Sequence, residues 1–336
     1  MRHLPSHPPL AGALPRGEPL EDFDALKPLP MGEVAHRRCD GEGNTAGASP
    51  RPTTYRQHAV FSYTYATIKE HSMKRTLLSI DTNDFPAEYR PLLSEAAVYD
   101  SSCSRQARVY YIDRDGGYYL KTQPVAAGSL RLEAEKGRFF HEKGLGAEVL
   151  SYATVGEADW LLTRRVVGED CTHAEYLSQP ERLVDLWAEI LRGLHDLPVE
   201  GCPAPDYLDK YLALAERNYR TGNYDKSQFP DSFGYASAEE AWGVLSEGKC
   251  LLKADTLIHG DYCLPNVLLD GWRFSGFIDL GNSGVADRHI DLFWGAWTLG
   301  FNLHTDIYRE RFFDAYGRDR VDEDLIRVVA AAEVFG

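Results

Sequence analysis

Residues 257–281 read LIHGDYCLPNVLLDGWRFSGFIDLG, a segment in which apolar runs alternate with turn-forming residues. Asp261 follows a His-Gly pair, Asn266 comes five residues later, and Asp279 ends a second apolar run. Gly, Pro, Asn and Asp are frequent between the apolar runs, which favours a loop flanked by short strands. The spacing therefore sets three oxygen-bearing side chains at fixed points along one turn-rich segment.

The three side chains suit a phosphate-transfer site. A carboxylate within hydrogen-bond reach of a substrate hydroxyl can orient that hydroxyl and accept its proton. Amide and carboxylate oxygens are the ligands that Mg²⁺ prefers, usually one or two protein groups together with phosphates and water. A single Asp or Asn is most often a turn former or a helix cap. Taken together, the spacing Asp-x₄-Asn followed by Asp-x-Gly is that of the protein-kinase plan. We therefore predict that Asp261 positions an attacking hydroxyl, while Asn266 and Asp279 hold Mg²⁺ on a nucleoside triphosphate.

Upstream of this stretch the sequence predicts a small β-rich lobe. Residues 107–113 and 118–123 form a strand, a Gly-Gly turn and a second strand. A helix follows, with Ser129 as N-cap and Gly144 as its end, and two more strands complete the lobe near Gly168. We assign residues 73–168 to this nucleotide-binding lobe.

The chain from residue 169 to 336 reads as mainly helical. Leucine, isoleucine and tryptophan recur with a period near 3.6 residues across 180–197. Further helices are predicted at about 207–220, 236–252, 286–301 and 303–316. The fold class is therefore α+β, with two lobes and a cleft between them, the usual place for a small-molecule site.

Lys121 lies on a predicted strand of the β-rich lobe, and Glu135 lies fourteen residues later in the predicted helix. A strand lysine paired to a helix glutamate can hold its ammonium group against phosphate oxygens. The alternative is a surface lysine and an unrelated glutamate, which the pair alone does not exclude.

Residues 1–72 differ in composition from the rest of the chain. Nine of the 18 prolines lie within residues 1–52, and no helical or strand period is visible there. The three methionines are residues 1, 31 and 73, and the composition of a folded domain begins at Met73. We predict that translation starts at Met73 and that residues 1–72 are a non-native extension; a native disordered tail is the alternative.

Composition and charge exclude several classes of protein. No apolar run reaches the roughly 18 residues that a membrane span needs. The six cysteines form no CxxC pair, which favours reduced thiols in a cytoplasmic protein over a zinc site or a disulfide framework. Residues 1–72 hold eight basic and eight acidic residues, so the net charge of −15 belongs to the remainder. Such a field repels nucleic acid and attracts polycations, although solubility alone also explains an acidic chain. We expect no nucleic acid, membrane or obligate protein partner.

The segment HGDYCLPNVLLDGWRFSGFIDLGNSGVADRHIDL resembles the signature of the aminoglycoside 3′-phosphotransferases. The resemblance covers about residues 90–336, including YDSSCS, ARVYYID, YYLK and LEAEKGR in the β-rich lobe. It implies a protein-kinase-like fold and transfer of the ATP γ-phosphate to a sugar hydroxyl. It also implies a catalytic role for Asp261 and Mg²⁺ coordination by Asn266 and Asp279.

The resemblance implies further residues on the nucleotide side of the cleft. They are Lys121 on the α- and β-phosphates, Glu135 as its ion-pair partner, Tyr119 stacked on adenine, the backbone of Arg164 to Val166 at the adenine edge, and Ser104 in the nucleotide-positioning loop.

On the acceptor side the resemblance implies Asp231, Glu333 and Phe335, and here the chain departs from the family pattern. The acidic acceptor loop is reduced to SQFPDS, Asn282 stands where members have Arg, and the C-terminus reads AEVFG. Fewer carboxylates mean fewer charge-assisted bonds to substrate ammonium groups. We expect an aminoglycoside 3′-phosphotransferase that uses ATP and Mg²⁺. The alternatives are a kinase of the same fold for another small hydroxylated or amino compound, or a nucleotide-binding regulator without turnover.

Overall fold

A computed structural model describes residues 75–102, 107–127, 129–229 and 232–336. Ser104, Asp231 and the predicted extension 1–72 lie outside these described residues.

The first part of the described chain forms an antiparallel sheet of six strands in the order β1-β2-β3-β4-β6-β5. The strands are β1 (Thr76–Leu78), β2 (Ala97–Asp100), β3 (Arg108–Asp113), β4 (Tyr118–Pro124), β5 (Val149–Val155) and β6 (Ala158–Arg164). Strands β3 and β4 are the predicted hairpin, and Gly116 and Gly117 at its turn adopt φ of 93° and 99°. Glycine is favoured there because other residues strain at positive φ.

Residues alternate between the two faces of β4. Leu120 faces a core that it forms with Ile112 of β3, the short helix α1 (Arg90–Leu93) and the segment before that helix, which contributes Phe85 and Tyr89. Lys121 projects from the opposite face, toward the second helix, α2 (Arg131–Glu142). The alternation of side chains along β4 therefore directs Lys121 away from this core and toward α2.

Helix α2 packs on the sheet through Leu130 and Ala134, which contact Leu161. Leu130 occupies the N-cap position without a side-chain cap, and the Ser129 hydroxyl accepts a hydrogen bond from the Arg131 amide (3.1 Å). Ser129, the predicted N-cap, thus lies one residue before the observed N-cap and still satisfies an orphan amide of the first turn.

The chain beyond residue 168 is mainly helical. Its helices are α3 (Ala174–Leu177), α4 (Pro180–His195), α5 (Tyr207–Thr221), α6 (Ala238–Gly248), α7 (His289–Leu303), α8 (Tyr308–Gly317) and α9 (Glu323–Glu333). Its short strands are β7 (Glu169–Asp170), β8 (Thr256–Ile258), β9 (Val267–Leu269), β10 (Phe274–Phe277) and β11 (Gly284–Ala286). The fold is α+β, with an antiparallel sheet lobe and a helical lobe.

The helical lobe has one large apolar core, in which Trp187, Tyr262 and Phe312 are completely buried. In the described part of the chain, no helix is long and apolar enough to cross a membrane. Among the described cysteines, Cys171, Cys202 and Cys263 are free thiols.

Candidate active site

Two short antiparallel pairings, one within residues 257–281 and one with the strand that follows them, bring the ends of this segment together. Strand β8 pairs with β11, so Ile258 lies opposite Gly284, and β9 pairs with β10 between them. Asp261 follows β8 and Asp279 follows β10. The main-chain amide of Ile278 donates to the carbonyl of Asn266 (3.0 Å), which ties the two loops together.

Asp261 and Asn266 are in direct contact. The Asn266 Nδ2 amide donates to Oδ2 of Asp261 (2.9 Å) and to its main-chain oxygen (3.0 Å). This contact fixes the Asp261 carboxylate and commits the amino end of Asn266 to protein. The carbonyl end of Asn266 is therefore the one suited to a cation, because an amide nitrogen cannot act as a metal ligand here.

Asp291 on α7 holds the loop that carries Asp261, a role that the sequence prediction missed. Its carboxylate is fully buried and accepts hydrogen bonds from the amides of His259 and Gly260, each at 2.7 Å. The buried His195 Nε2 lies 3.1 Å from the same carboxylate. The signal was present in GVADRHIDL, where an Asp stands within an apolar helix and so needs polar partners.

Gly260 allows a close approach between the two loops. Its φ is 81°, and a Cβ at this position would lie 1.9 Å from the main-chain oxygen of Asn282. Any side chain would therefore push the Asp261 loop away from the Asp279 loop.

Lys121, Glu133 and Asp279 form the charged centre of the cleft. The Lys121 ammonium contacts both carboxylate oxygens of Glu133 at 2.9 Å and lies 3.7 Å from Oδ1 of Asp279. Asp279 has a left-handed backbone (φ 56°), and its side chain is 59% exposed, so it is open to a ligand.

The prediction that Glu135 pairs with Lys121 is wrong. Glu135 lies on the outer side of α2, where it accepts from Arg131 Nε at 3.0 Å. Residues 133 and 135 are about 200° apart around a helix, so only one of them can face the sheet lysine.

The charges around Lys121 outweigh the effect of its burial. Burial alone would lower the pKa of the Lys121 ammonium, but Glu133 and Asp279 raise it above its ordinary value. Lys121 is therefore a permanent cation at neutral pH, which the phosphate-binding role predicted for it requires.

The donor set fits Mg²⁺. Asp279 and Asn266 offer hard oxygens, and among the described residues no cluster of three or more His, Cys, Asp or Glu forms a site that could hold a metal by itself. Mg²⁺ commonly binds one or two protein oxygens and takes its remaining ligands from phosphates and water. Asp279 and Asn266 would hold the ion, and a bound nucleotide would complete its coordination.

The predicted adenine-side residues lie near the hinge between the lobes. Tyr119 is half-buried on the Lys121 face of β4, its ring 5.3 Å from that of Tyr111. The Arg164 amide donates to the Glu148 carbonyl (2.9 Å), so it is already used within the sheet. Val166 is buried just beyond β6. Ser104 lies outside the described residues.

On the acceptor side, Glu333 is half-buried at the end of α9, and its Oε1 accepts from the Tyr211 hydroxyl at 2.8 Å. Burial raises the pKa of Glu333 to about 7, the Asp261 charge adds to the rise, and hydrogen bonding from Tyr211 and Trp294 opposes it. Because the Asp261 charge acts on Glu333, the C-terminal helix ends within electrostatic reach of Asp261.

Phe335 does not line the acceptor side, so that prediction is wrong for its side chain. Its ring is completely buried and packs against Tyr219, Tyr224 and Trp242. The Phe335 carbonyl accepts from Asn218 Nδ2 at 2.7 Å. Phe335 therefore anchors the tail that presents Glu333. Asp231 lies outside the described residues.

Sequence comparisons place the chain among known phosphotransferases. Residues 103–326 match the model of a phosphotransferase enzyme family. A probable aminoglycoside 3′-phosphotransferase of Lactococcus lactis is 47% identical over 259 residues, which cover 77% of this chain and 98% of that protein. An aminoglycoside 3′-phosphotransferase of Niallia circulans is 32% identical over 76% of this chain and 98% of its own length.

Solved structures share the fold. An aminoglycoside 3′-phosphotransferase of type VIII superposes with a TM-score of 0.58 at 24% identity, covering 78% of this chain and 94% of its own. An aminoglycoside phosphotransferase of Streptomyces rimosus in complex with ADP and streptomycin gives a TM-score of 0.56 at 24% identity, over 68% of this chain and 90% of its own.

Proposed function

The chain belongs to the aminoglycoside 3′-phosphotransferases of the phosphotransferase enzyme family, and on that premise we propose that it transfers the γ-phosphate of ATP to the 3′-hydroxyl of an aminoglycoside. Antibiotics of the kanamycin and neomycin type are the proposed acceptors, and their modification confers resistance. One arrangement of side chains carries this proposal. Asn266 holds the Asp261 carboxylate, and Asp279 lies beside the ion pair of Lys121 and Glu133. The proposal places the enzyme in the cytoplasm.

Each residue has a defined part in the reaction. Lys121 binds the phosphates of ATP and is itself fixed by Glu133. Asp261 orients the acceptor hydroxyl and takes its proton as the bond to phosphorus forms. When bound, Mg²⁺ neutralises charge on the phosphate oxygens, and Asp279 and Asn266 are the residues that would hold it. Transfer is direct and in line, and catalysis comes mainly from positioning and charge neutralisation.

Carboxylates on the acceptor side support the choice of an aminoglycoside as substrate, because they would pair with its ammonium groups. Asp261 and Glu333 are the described candidates, and Asp231 belongs to the same proposal. The thinned acidic loop also favours a second candidate function, a kinase of the same fold for another small hydroxylated or amino compound.

A coupled assay of ADP release with and without kanamycin tests the proposal. Kanamycin-stimulated ADP release is the expected result. Turnover only with other acceptors would replace it with the second candidate function, and nucleotide binding without any turnover would replace it with a regulatory role.

A further inference from the structure

Lys136 is a buried lysine for which the proposed reaction assigns no role. It lies on α2, and the residue is only 2% exposed to solvent. A buried ammonium group is costly unless it has polar partners. Among the described residues it forms no ion pair. Its Nζ instead donates to the Gly281 carbonyl at 2.7 Å and lies 5.2 Å from the centre of the Tyr207 ring.

The carbonyl that Lys136 binds belongs to the proposed metal loop. Gly281 lies two residues after Asp279, within the short 3₁₀ helix Leu280–Asn282. A Cβ at Gly281 would lie 3.7 Å from Oε2 of Glu133, so α2 and this loop are in close contact at that point. A charged donor bound to a carbonyl in such a place fixes the loop more firmly than a neutral donor would.

Glu133 and Lys136 are three residues apart on α2 and therefore lie on adjacent turns of one side of the helix. Glu133 holds Lys121, Lys136 holds Gly281, and Asp279 lies 3.7 Å from Lys121. These contacts form a closed ring through β4, α2 and the Asp279 loop. Removing the hydrogen bond from Lys136 frees the Asp279 loop from α2 and leaves the pair of Lys121 and Glu133 in place.

We propose that Lys136 is a positioning residue that sets Asp279 at its distance from Lys121 and so prepares the site for Mg²⁺ on the nucleotide. This inference rests on the proposed function. Lys136 acts through the backbone of the Asp279 loop, whose Gly281 carbonyl it binds. Residues that orient metal ligands from behind typically change metal affinity by about 10- to 100-fold when they are replaced.

Substitution Lys136→Met removes the donor and keeps an unbranched side chain of similar length. The measurement is the affinity for a non-hydrolysable ATP analogue, by calorimetry on the full-length protein, with Mg²⁺ and with EDTA. We expect the tightening that Mg²⁺ produces to fall about tenfold, while affinity in EDTA stays unchanged. Lys136→Arg retains a cationic donor and should keep most of the Mg²⁺ effect.

Lys210→Met is the matched control, because Lys210 is an exposed lysine on α5, near Lys136, that pairs with Asp206 at 2.9 Å. It should leave both affinities unchanged. A full Mg²⁺ effect in Lys136→Met, whatever its melting temperature, would overturn the inference, since a purely structural role would lower stability alone.

A second measurement does not depend on the folding of Lys136→Met. The measurement is NMR of wild-type protein labelled with ¹⁵N-lysine, in which the Lys136 Nζ resonance is identified as the one that Lys136→Arg removes. This resonance should shift when Mg²⁺ is added to the nucleotide complex. It should stay in place when kanamycin alone is added. Absence of the Mg²⁺ shift contradicts the inference. If the wild type binds nucleotide with no Mg²⁺ dependence at all, the proposed function fails instead, and ADP release with kanamycin reports that failure separately.

Discussion

At the scale of single residues, Asp261 is held by its neighbours before any substrate arrives. Asn266 donates to its carboxylate, and the imidazole Nδ1 of His259 lies 3.3 Å from its amide. A carboxylate fixed in this way loses little conformational entropy when it orients a hydroxyl. The sequence alone identified this pair, because its spacing of five residues lies within one local loop.

Replacing Asp261 with Asn should therefore abolish most turnover without affecting nucleotide binding. The amide cannot accept the acceptor proton, so we expect kcat to fall by about 10²- to 10⁴-fold. Steady-state ADP release and calorimetric affinity for an ATP analogue measure the two effects. Asp270→Asn, at an exposed position on the same stretch, is the control. Turnover within tenfold of the wild type would contradict the assignment of Asp261.

Glu333 gives the acceptor side a predicted pH dependence. Burial raises the pKa of Glu333 to about 7, so the carboxylate is mostly protonated at pH 6 and mostly ionised at pH 7.5. Only the ionised form pairs with an ammonium group, so KM for kanamycin should fall several-fold as the pH rises across this range. KM for ATP, measured in the same assays, should not follow this trend. Glu333→Gln should flatten the kanamycin profile, and an unchanged profile in that variant would remove Glu333 from the acceptor site.

At the scale of elements, α2 shows what the sequence pattern could have predicted and what it could not. The buried residues Leu130, Ala134 and Phe140 define one side of the helix, and that side includes position 133 and excludes position 135. Helical phase selects Glu133 over Glu135 only once these burials are known, because the apolar Leu132 and Phe139 lie on the side of position 135. A pairing of Lys121 with a glutamate of α2 was available from the sequence. The bond from Lys136 to Gly281 was not, because it joins residues 145 positions apart that only the packing of the two lobes brings together.

Helix α7 supports the Asp261 loop through the carboxylate of Asp291. Asp291 accepts from the amides of His259 and Gly260, so the direction of the chain just before Asp261 depends on it. The helical period around Asp291 was visible in the sequence. The carboxylate's partners lie about 30 residues upstream and became evident only in the fold.

Asp291→Asn should weaken both stability and turnover. The new amide nitrogen would face a main-chain N–H group at a fully buried position, which leaves a buried donor unsatisfied and costs about 1–3 kcal/mol in the free energy of unfolding. Urea denaturation measures this cost, and kcat should fall while affinity for the ATP analogue changes little. Asp306→Asn, at an exposed position, is the control. Wild-type stability together with wild-type kcat would show that Asp291 does not support the loop.

At the scale of the whole molecule, the two-lobe architecture followed from the order of strands and helices along the chain. The strands from 107 to 164 and the helices from 180 to 317 lie close to their predicted positions, whereas α9 (Glu323–Glu333) was not predicted. The acceptor side was harder to predict, because its residues come from distant segments and one of them, Phe335, serves as a buried anchor. The tail motif resembles that of the family, but only packing reveals which of its side chains faces the cleft.

The overall charge leads to a prediction about salt. The chain carries a net charge of −15, which attracts a polycationic aminoglycoside and repels anionic ATP over distances comparable to the Debye length. That length falls from about 10 Å at 0.1 M ionic strength to about 3 Å at 1 M. KM for kanamycin should therefore rise several-fold as KCl increases across this range, while KM for Mg·ATP should stay level or fall, because its repulsion is screened as well. Opposite trends in the two constants distinguish field screening from general inhibition by salt. A parallel rise in both would show that the acidic surface serves solubility and takes no part in acceptor capture.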